Sequence, residues 1–288
     1  MDAMSAGPAA ARPAASRPVT LIGGRRPGLR EDAGELWRHR GLFAMLVWRI
    51  LAVRYKQTLV GSAWAVLQPF LLMLVFTVFF GWLVRIPSDG VPYPLFFFTG
   101  LWMWSYLSQC FLAGAASVVA NGHIVGKVYF PRALLPAATV AASVVDFLVG
   151  LPALAALMAW YGIVPGWGLL AFPAAFLIAT AMGLGLALWF AATWVFYRDT
   201  AYLLPFLAQL WMFASPVIYP LSLVPAEWRE LYALNPMVGV AAATRWAFAG
   251  GPPVEPRLLL VSAGAALLVL ATGYRYFRRR EPLFTDHA

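Results

Sequence analysis

The chain has 288 residues, 62% of them hydrophobic and only 11% charged, with a net charge of +9. Soluble domains carry about 25% charged residues, so this composition cannot furnish a water-facing surface and the bilayer is the expected solvent. The basic balance does not point to nucleic acid, because the cations fall in short clusters between long apolar runs. One cysteine, Cys110, excludes an internal disulfide and a cysteine-based metal site.

Residues 1–34 are rich in Ala, Pro and Arg and lack the apolar core of a signal peptide; they are expected to form a disordered cytoplasmic tail. The remainder, 35–288, reads as a single membrane domain. Residues 35–56 predict a helix ahead of the first span. At 100° per residue Arg38, Arg49 and Lys56 share one stripe, and Phe43, Val47 and Ile50 another, although Arg40 and Arg54 fall near the apolar side. Such a helix lies in the membrane interface, basic side toward lipid phosphates.

A helical span needs about 20 mostly apolar residues. Six segments qualify: 65–84, 95–120, 134–160, 167–196, 201–219 and 258–277. Lys and Arg are retained on the cytoplasmic side. With the N-terminus inside, 17 of the 21 cations are cytoplasmic: ten in residues 1–64, then Lys127, Arg132, Arg198, Arg275, Arg278, Arg279 and Arg280. Arg85, Arg229, Arg245 and Arg257 remain outside. Six spans with both termini cytoplasmic are therefore expected.

The loop 121–132 (NGHIVGKVYFPR) is short, basic and cytoplasmic. Gly126-Lys127 invites a phosphate-loop reading, which fails: three residues separate Gly122 from Gly126, and Val128 stands where Ser or Thr is required. With no other nucleotide-binding stretch, ATP-driven work needs a second chain. A short helix here, with Tyr129, Phe130 and Pro131 as an apolar tip, fits docking into a partner; an ordinary connecting loop is the alternative.

Asp146 is the one carboxylate well inside a span, marking a polar path or an inter-helix pair. Gln68, Gln109 and Gln209 are milder intramembrane polar residues. Trp102, Trp104, Tyr106, Trp189, Trp211 and Phe213 sit mid-span, where an aromatic face suits either membrane packing or stacking on sugar rings. Residues 215–250 are too Pro-punctuated for a span and too apolar for a solvated loop. Pro216, Pro220, Pro225 and Pro236 divide them, predicting two short helices near 226–233 and 237–248 that dip into the outer leaflet. Re-entrant backbone survives only where protein or a water cavity satisfies its polar groups, as at a pore mouth or gate. His39, His123 and His287 are scattered and do not cluster at one membrane face, so an intramembrane enzyme is not expected, and no metal site is expected either. The absence of a convincing internal repeat argues against a secondary transporter.

The stretch RYKQTLVGSAWAVLQP (54–69) resembles the signature of type-2 ABC exporter permeases for polysaccharide and polyol phosphate. So do KVYFPRALLP (127–136), VDF (145–147), FYRDT (196–200), SPVIYP (215–220) and LNPM (234–237), in that order and over residues 35–280. The resemblance implies an all-α permease in the bacterial inner membrane. It works as a homodimer with two copies of a separate ATPase that holds ATP and magnesium, and this chain carries no cofactor of its own. The cargo of such exporters is undecaprenyl-diphosphate-linked O-antigen, teichoic acid or lipid-linked capsule. Carried over, 35–56 is the interface helix, and Arg38, Arg49, Arg54 and Lys56 are candidates to hold the lipid diphosphate where it enters. His123, Lys127, Tyr129, Phe130 and Arg132 fall in the coupling helix, and Arg198 and Asp199 in a second ATPase contact. Pro216, Tyr219, Pro220, Asn235 and Pro236 fall in the outer gate, and the mid-span aromatics in a sugar-guiding lining. A small-molecule drug or lipid exporter of the same fold is the alternative.

Overall fold

Among the described residues every regular element is helical, in keeping with apolar runs whose backbone must satisfy itself where water is absent. The structure, a computed structural model, describes residues 34, 37–56, 63–125 and 130–284. The expected tail, the 57–62 connection, Lys127 and Tyr129 lie outside them.

Helix α1 (Arg40–Lys56) is followed by α2 (Ala63–Phe76), which continues as a π-helical segment, Thr77–Leu83. Then come α3 (Tyr93–Ala120), the single turn α4 (Gly122–Val125), α5 (Leu134–Val149) and α6 (Leu151–Tyr161). Helix α7 (Phe172–Phe196) is entered through a 3₁₀ segment, Trp167–Ala171, and leads to α8 (Thr200–Phe213). The chain ends in the short α9 (Ala226–Tyr232), then α10 (Met237–Phe248) and α11 (Pro256–Arg280).

Four of these helical stretches are long and apolar enough to cross a bilayer: Tyr93–Ala120, Leu134–Tyr161, Trp167–Phe196 and Pro256–Leu283. Leu67–Leu83 and Thr200–Phe213 are apolar but shorter. The span expected over 201–219 is thus cut back. Its 14 helical residues reach about 21 Å, short of a ~30 Å hydrocarbon core. Pro216 explains the stop: it has no N–H to give the helix and disfavours helical backbone at Ser215. The third span is one apolar stretch interrupted at Gly150, with Pro152 in the first turn of α6. It ends at Gly162, whose φ of +65° lets the Ile163 N–H bond back to the Met158 carbonyl at 2.9 Å.

Helix α3 is the centre of the bundle, packed between α5 and α7, while α7 packs on α11 along its length. Lipid is as apolar as Leu, so helices associate through close approach of small residues. A Cβ on Gly183 would sit 2.6 Å from the Cβ of Cys110, and one on Gly185 2.7 Å from the Cα of Leu270. Glycine at these positions is what lets α7 touch both α3 and α11. Helices α2 and α8 are packed far more lightly on the rest of the chain. Leu71, Leu74, Val75 and Phe79 of α2 and its π-helical continuation stay exposed, as do Leu203, Phe206, Leu210 and Phe213 of α8. Gln68 and Gln209 are exposed on the same two helices.

Candidate functional site

At one end of the bundle, the loop after α3 is held by the Asn121 amide, which donates to the Ser117 carbonyl at 2.8 Å. His123 is exposed on α4. Phe130 does not form an outward apolar tip. Its ring is buried in a cluster that also contains Leu46, Leu134, Phe277 and Phe284, because an aromatic ring at this point gains more from the chain's own core than from water. The Arg132 main-chain N–H donates to Glu281 Oε1 at 2.8 Å, and its guanidinium donates to the Glu281 carbonyl. Arg198 and Asp199 lie exposed in the turn between α7 and α8, where the Asp199 carbonyl accepts from the Tyr202 and Leu203 N–H groups at 3.0 Å. Glu281 and Phe284, both central here, carry no periodic signal that singles them out in the sequence.

Helix α1 runs beside α5, burying Leu46 while Leu42, Phe43, Val47 and Ile50 lie half-buried against the same cluster. At its far end Arg54 and Tyr55 both donate to the Asp146 carboxylate. The ion pair is largely withdrawn from solvent, with side-chain exposures of 27% for Arg54 and 19% for Asp146. Arg54 is therefore committed to a carboxylate on α5, whereas Arg38, Arg49 and Lys56 are exposed. Tyr55 adds a third group to the pair that the spacing of charges alone did not reveal.

The six mid-span aromatics do not converge on one surface. Trp102 is buried, donates Nε1–H to the Phe147 carbonyl at 3.0 Å, and stacks on the Phe147 ring at 3.9 Å. Tyr106 is buried, shares a 2.8 Å hydrogen bond with Thr180 and stacks on Phe176 at 5.0 Å. Trp104 is buried edge-on to Trp211, with centroids 5.3 Å apart. These three residues are packed in the chain's own core. Trp189 stands apart, stacked on Tyr276 at 4.4 Å. Trp211 and Phe213, at the end of α8, adjoin the proline-punctuated segment 215–250.

That segment is a knot of hydrogen bonds that replaces the ones its prolines remove. Asn235 Oδ1 accepts from Trp211 Nε1–H and from the Met237 N–H, both at 3.1 Å. Its Nδ2 donates to the Ala214 carbonyl at 3.2 Å and to Ser215 Oγ at 2.9 Å. Tyr219 and Tyr232 share a hydrogen bond of 2.8 Å between hydroxyls, and Tyr232 donates to the Ala214 carbonyl at 3.0 Å. Burial, reinforced by the bond to Tyr219, pushes the Tyr232 phenol well above its ordinary pKa, so it stays a proton donor. Pro216, Pro220 and Pro236 are buried at the bends of this path. Arg245, which the topology count leaves as one more outer cation, is a structural pin. It lies over the Phe96 ring at 3.5 Å and donates to the carbonyls of Phe96 at 3.3 Å and Val217 at 2.8 Å, tying α10 to α3 and to the loop after α8.

Comparison with known proteins identifies the family. The family model for ABC-2 type transporters matches residues 41–248. The chain is 34% identical over 252 residues to the O-antigen export system permease protein RfbA of Myxococcus xanthus, spanning 86% of this chain and 96% of that one. It is 25% identical over 214 residues to the protein of that name from Klebsiella pneumoniae, covering 73% of this chain and 81% of the relative. It is 24% identical over 240 residues to the polysialic acid transport protein KpsM of Escherichia coli, covering 81% and 91%. The chain belongs to the ABC-2 type transporter family and is a multi-pass membrane permease subunit of that family.

Proposed function

We propose that this permease exports an O-antigen polysaccharide, carried on undecaprenyl diphosphate, across the inner membrane, driven by a separate ATPase. The observation that carries the reading is the near end-to-end similarity to a relative named as an O-antigen export permease. The protein works as a pair of copies joined to two ATPase subunits, which bind the ATP and magnesium. All six apolar segments cross the bilayer, Leu67–Leu83 and Thr200–Phe213 completing their passage with flanking chain, and both termini lie in the cytoplasm. The 17 to 4 division of cations supports that orientation.

The physical difficulty is a hydrophilic polymer in hydrocarbon, where each unpaired hydroxyl costs several kcal/mol. A hydrated path between two copies removes that cost. The lightly packed α2 and α8, each exposing a glutamine amide, are the faces that such a path and such a partner require. The lipid stays in the bilayer while Arg38, Arg49 and Lys56 guide its diphosphate, with Arg54 held in place by Asp146. ATPase closure acts on the 121–132 loop, with the Arg198–Asp199 turn as a second contact, and moves helices as rigid bodies. The re-entrant knot, with Trp211 and Phe213 at its edge, is the outer gate where emerging sugar rings meet aromatic faces. The test is a strain lacking the chain. Lipid-linked polymer should accumulate inside and surface polymer disappear, both restored by the wild-type permease together with its ATPase. A permease for small drugs or lipids gives no accumulated polymer.

A further inference from the structure

The segment after α11 folds back onto the loop before α5, and one carboxylate joins them. Glu281 has a side-chain exposure of 12%. Oε1 accepts from the Arg132 main-chain N–H at 2.8 Å, and Oε2 pairs with Arg278 at 2.6 Å. The Glu281 main-chain carbonyl accepts from the Arg132 guanidinium. Three residues on, Phe284 is fully buried, edge-on to Phe277 at 5.2 Å and under the Arg132 guanidinium at 5.9 Å. Residues 149 positions apart are thus linked by a charged group, a main-chain bond and an aromatic seat at once. A carboxylate held by an N–H and a guanidinium in a largely buried place has a strong directional preference, so the loop and the end of the last span cannot easily move separately.

We propose that Glu281 is a positioning residue for transport, a clamp that makes α11 follow the 121–132 loop. This rests on the reading of that loop as the ATPase contact. A push on the loop is passed directly to the cytoplasmic end of α11, and through the close α7–α11 seam at Gly185 to the centre of the bundle. Without the clamp the loop moves alone and ATP is hydrolysed without matching movement of the span.

The test measures ATPase rate and polymer export in the assembled permease–ATPase complex and takes their ratio. For Glu281→Ala the expected result is an ATPase rate within about twofold of wild type and export per ATP lowered at least tenfold. Glu281→Gln keeps an acceptor for the Arg132 N–H and should recover part of the ratio, which a simple loss of folded protein would not allow. Should Glu281→Ala fail to assemble, Arg278→Gln, which removes the Oε2 partner, decides by the same ratio. A wild-type ratio in the variants, or export falling only in step with the amount of assembled complex, overturns the proposal. His123→Cys cross-linking to the ATPase is run alongside. No cross-link with a wild-type Glu281 ratio rejects the loop reading and the clamp together. A cross-link with a wild-type ratio rejects the clamp alone.

Discussion

Asp146→Ala is expected to lower the stability of the purified permease by about 2–4 kcal/mol and to reduce export in proportion to the protein lost, because a withdrawn cation is left without its carboxylate. Arg54 and Tyr55 both lose their acceptor in this variant. Truncating one member of a withdrawn pair usually costs more than removing both. The double variant Arg54→Gln with Asp146→Ala should therefore be milder than Asp146→Ala alone, and with Arg54→Gln measured beside them the coupling is expected to be about 0.5–3 kcal/mol. Thermal unfolding in detergent reads both numbers. If the single variant melts like wild type, Asp146 does not hold α1 against α5.

Asn235→Ala is expected to abolish export, at least tenfold, while the complex with the ATPase still assembles. The side chain makes four hydrogen bonds within the knot of the segment 215–250. Alanine strands the Trp211 Nε1–H and the Met237 N–H, each costing about 1–3 kcal/mol where water does not replace the bond, and leaves the Ala214 carbonyl with Tyr232 as its remaining side-chain donor. Helix α10 then loses its register against α8. The damage stays local because the knot is remote in the fold from Phe130, Arg132 and Glu281. Export and co-purification of the ATPase, measured on one preparation, separate the two effects; loss of both together would place Asn235 in general folding and not in the gate.

Much of the helical layout was legible because apolar run length is a strong signal. The stretches expected at 134–160 and 167–196 match Leu134–Tyr161 and Trp167–Phe196 within a residue, and the short helices expected near 226–233 and 237–248 are Ala226–Tyr232 and Met237–Phe248. Proline spacing foretold the latter pair, since each helix begins just after a proline. The fifth stretch was overextended because hydropathy does not register that Pro216 stops a helix. Side-chain direction was the part hidden from a single sequence. Trp102 and Tyr106 look like any mid-span aromatics, yet they stack within the chain's own core on Phe147 and Phe176. Phe130, read as a tip, faces inward for the same reason: apolar character does not say which neighbour covers it. The partners of Asp146 and Arg132 lie 92 and 149 residues away, so no local pattern announces either contact.

The central claim is that polymer passes between two copies along the exposed face of α8. A photo-reactive residue in place of Gln209, illuminated during ATP-driven export, tests it most directly, with the same residue in place of the exposed Leu260 of α11 as control. Adducts to the glycan and to a second permease copy at position 209, with neither at 260, are the predicted result. Glycan adducts at 260 with none at 209 would contradict the account.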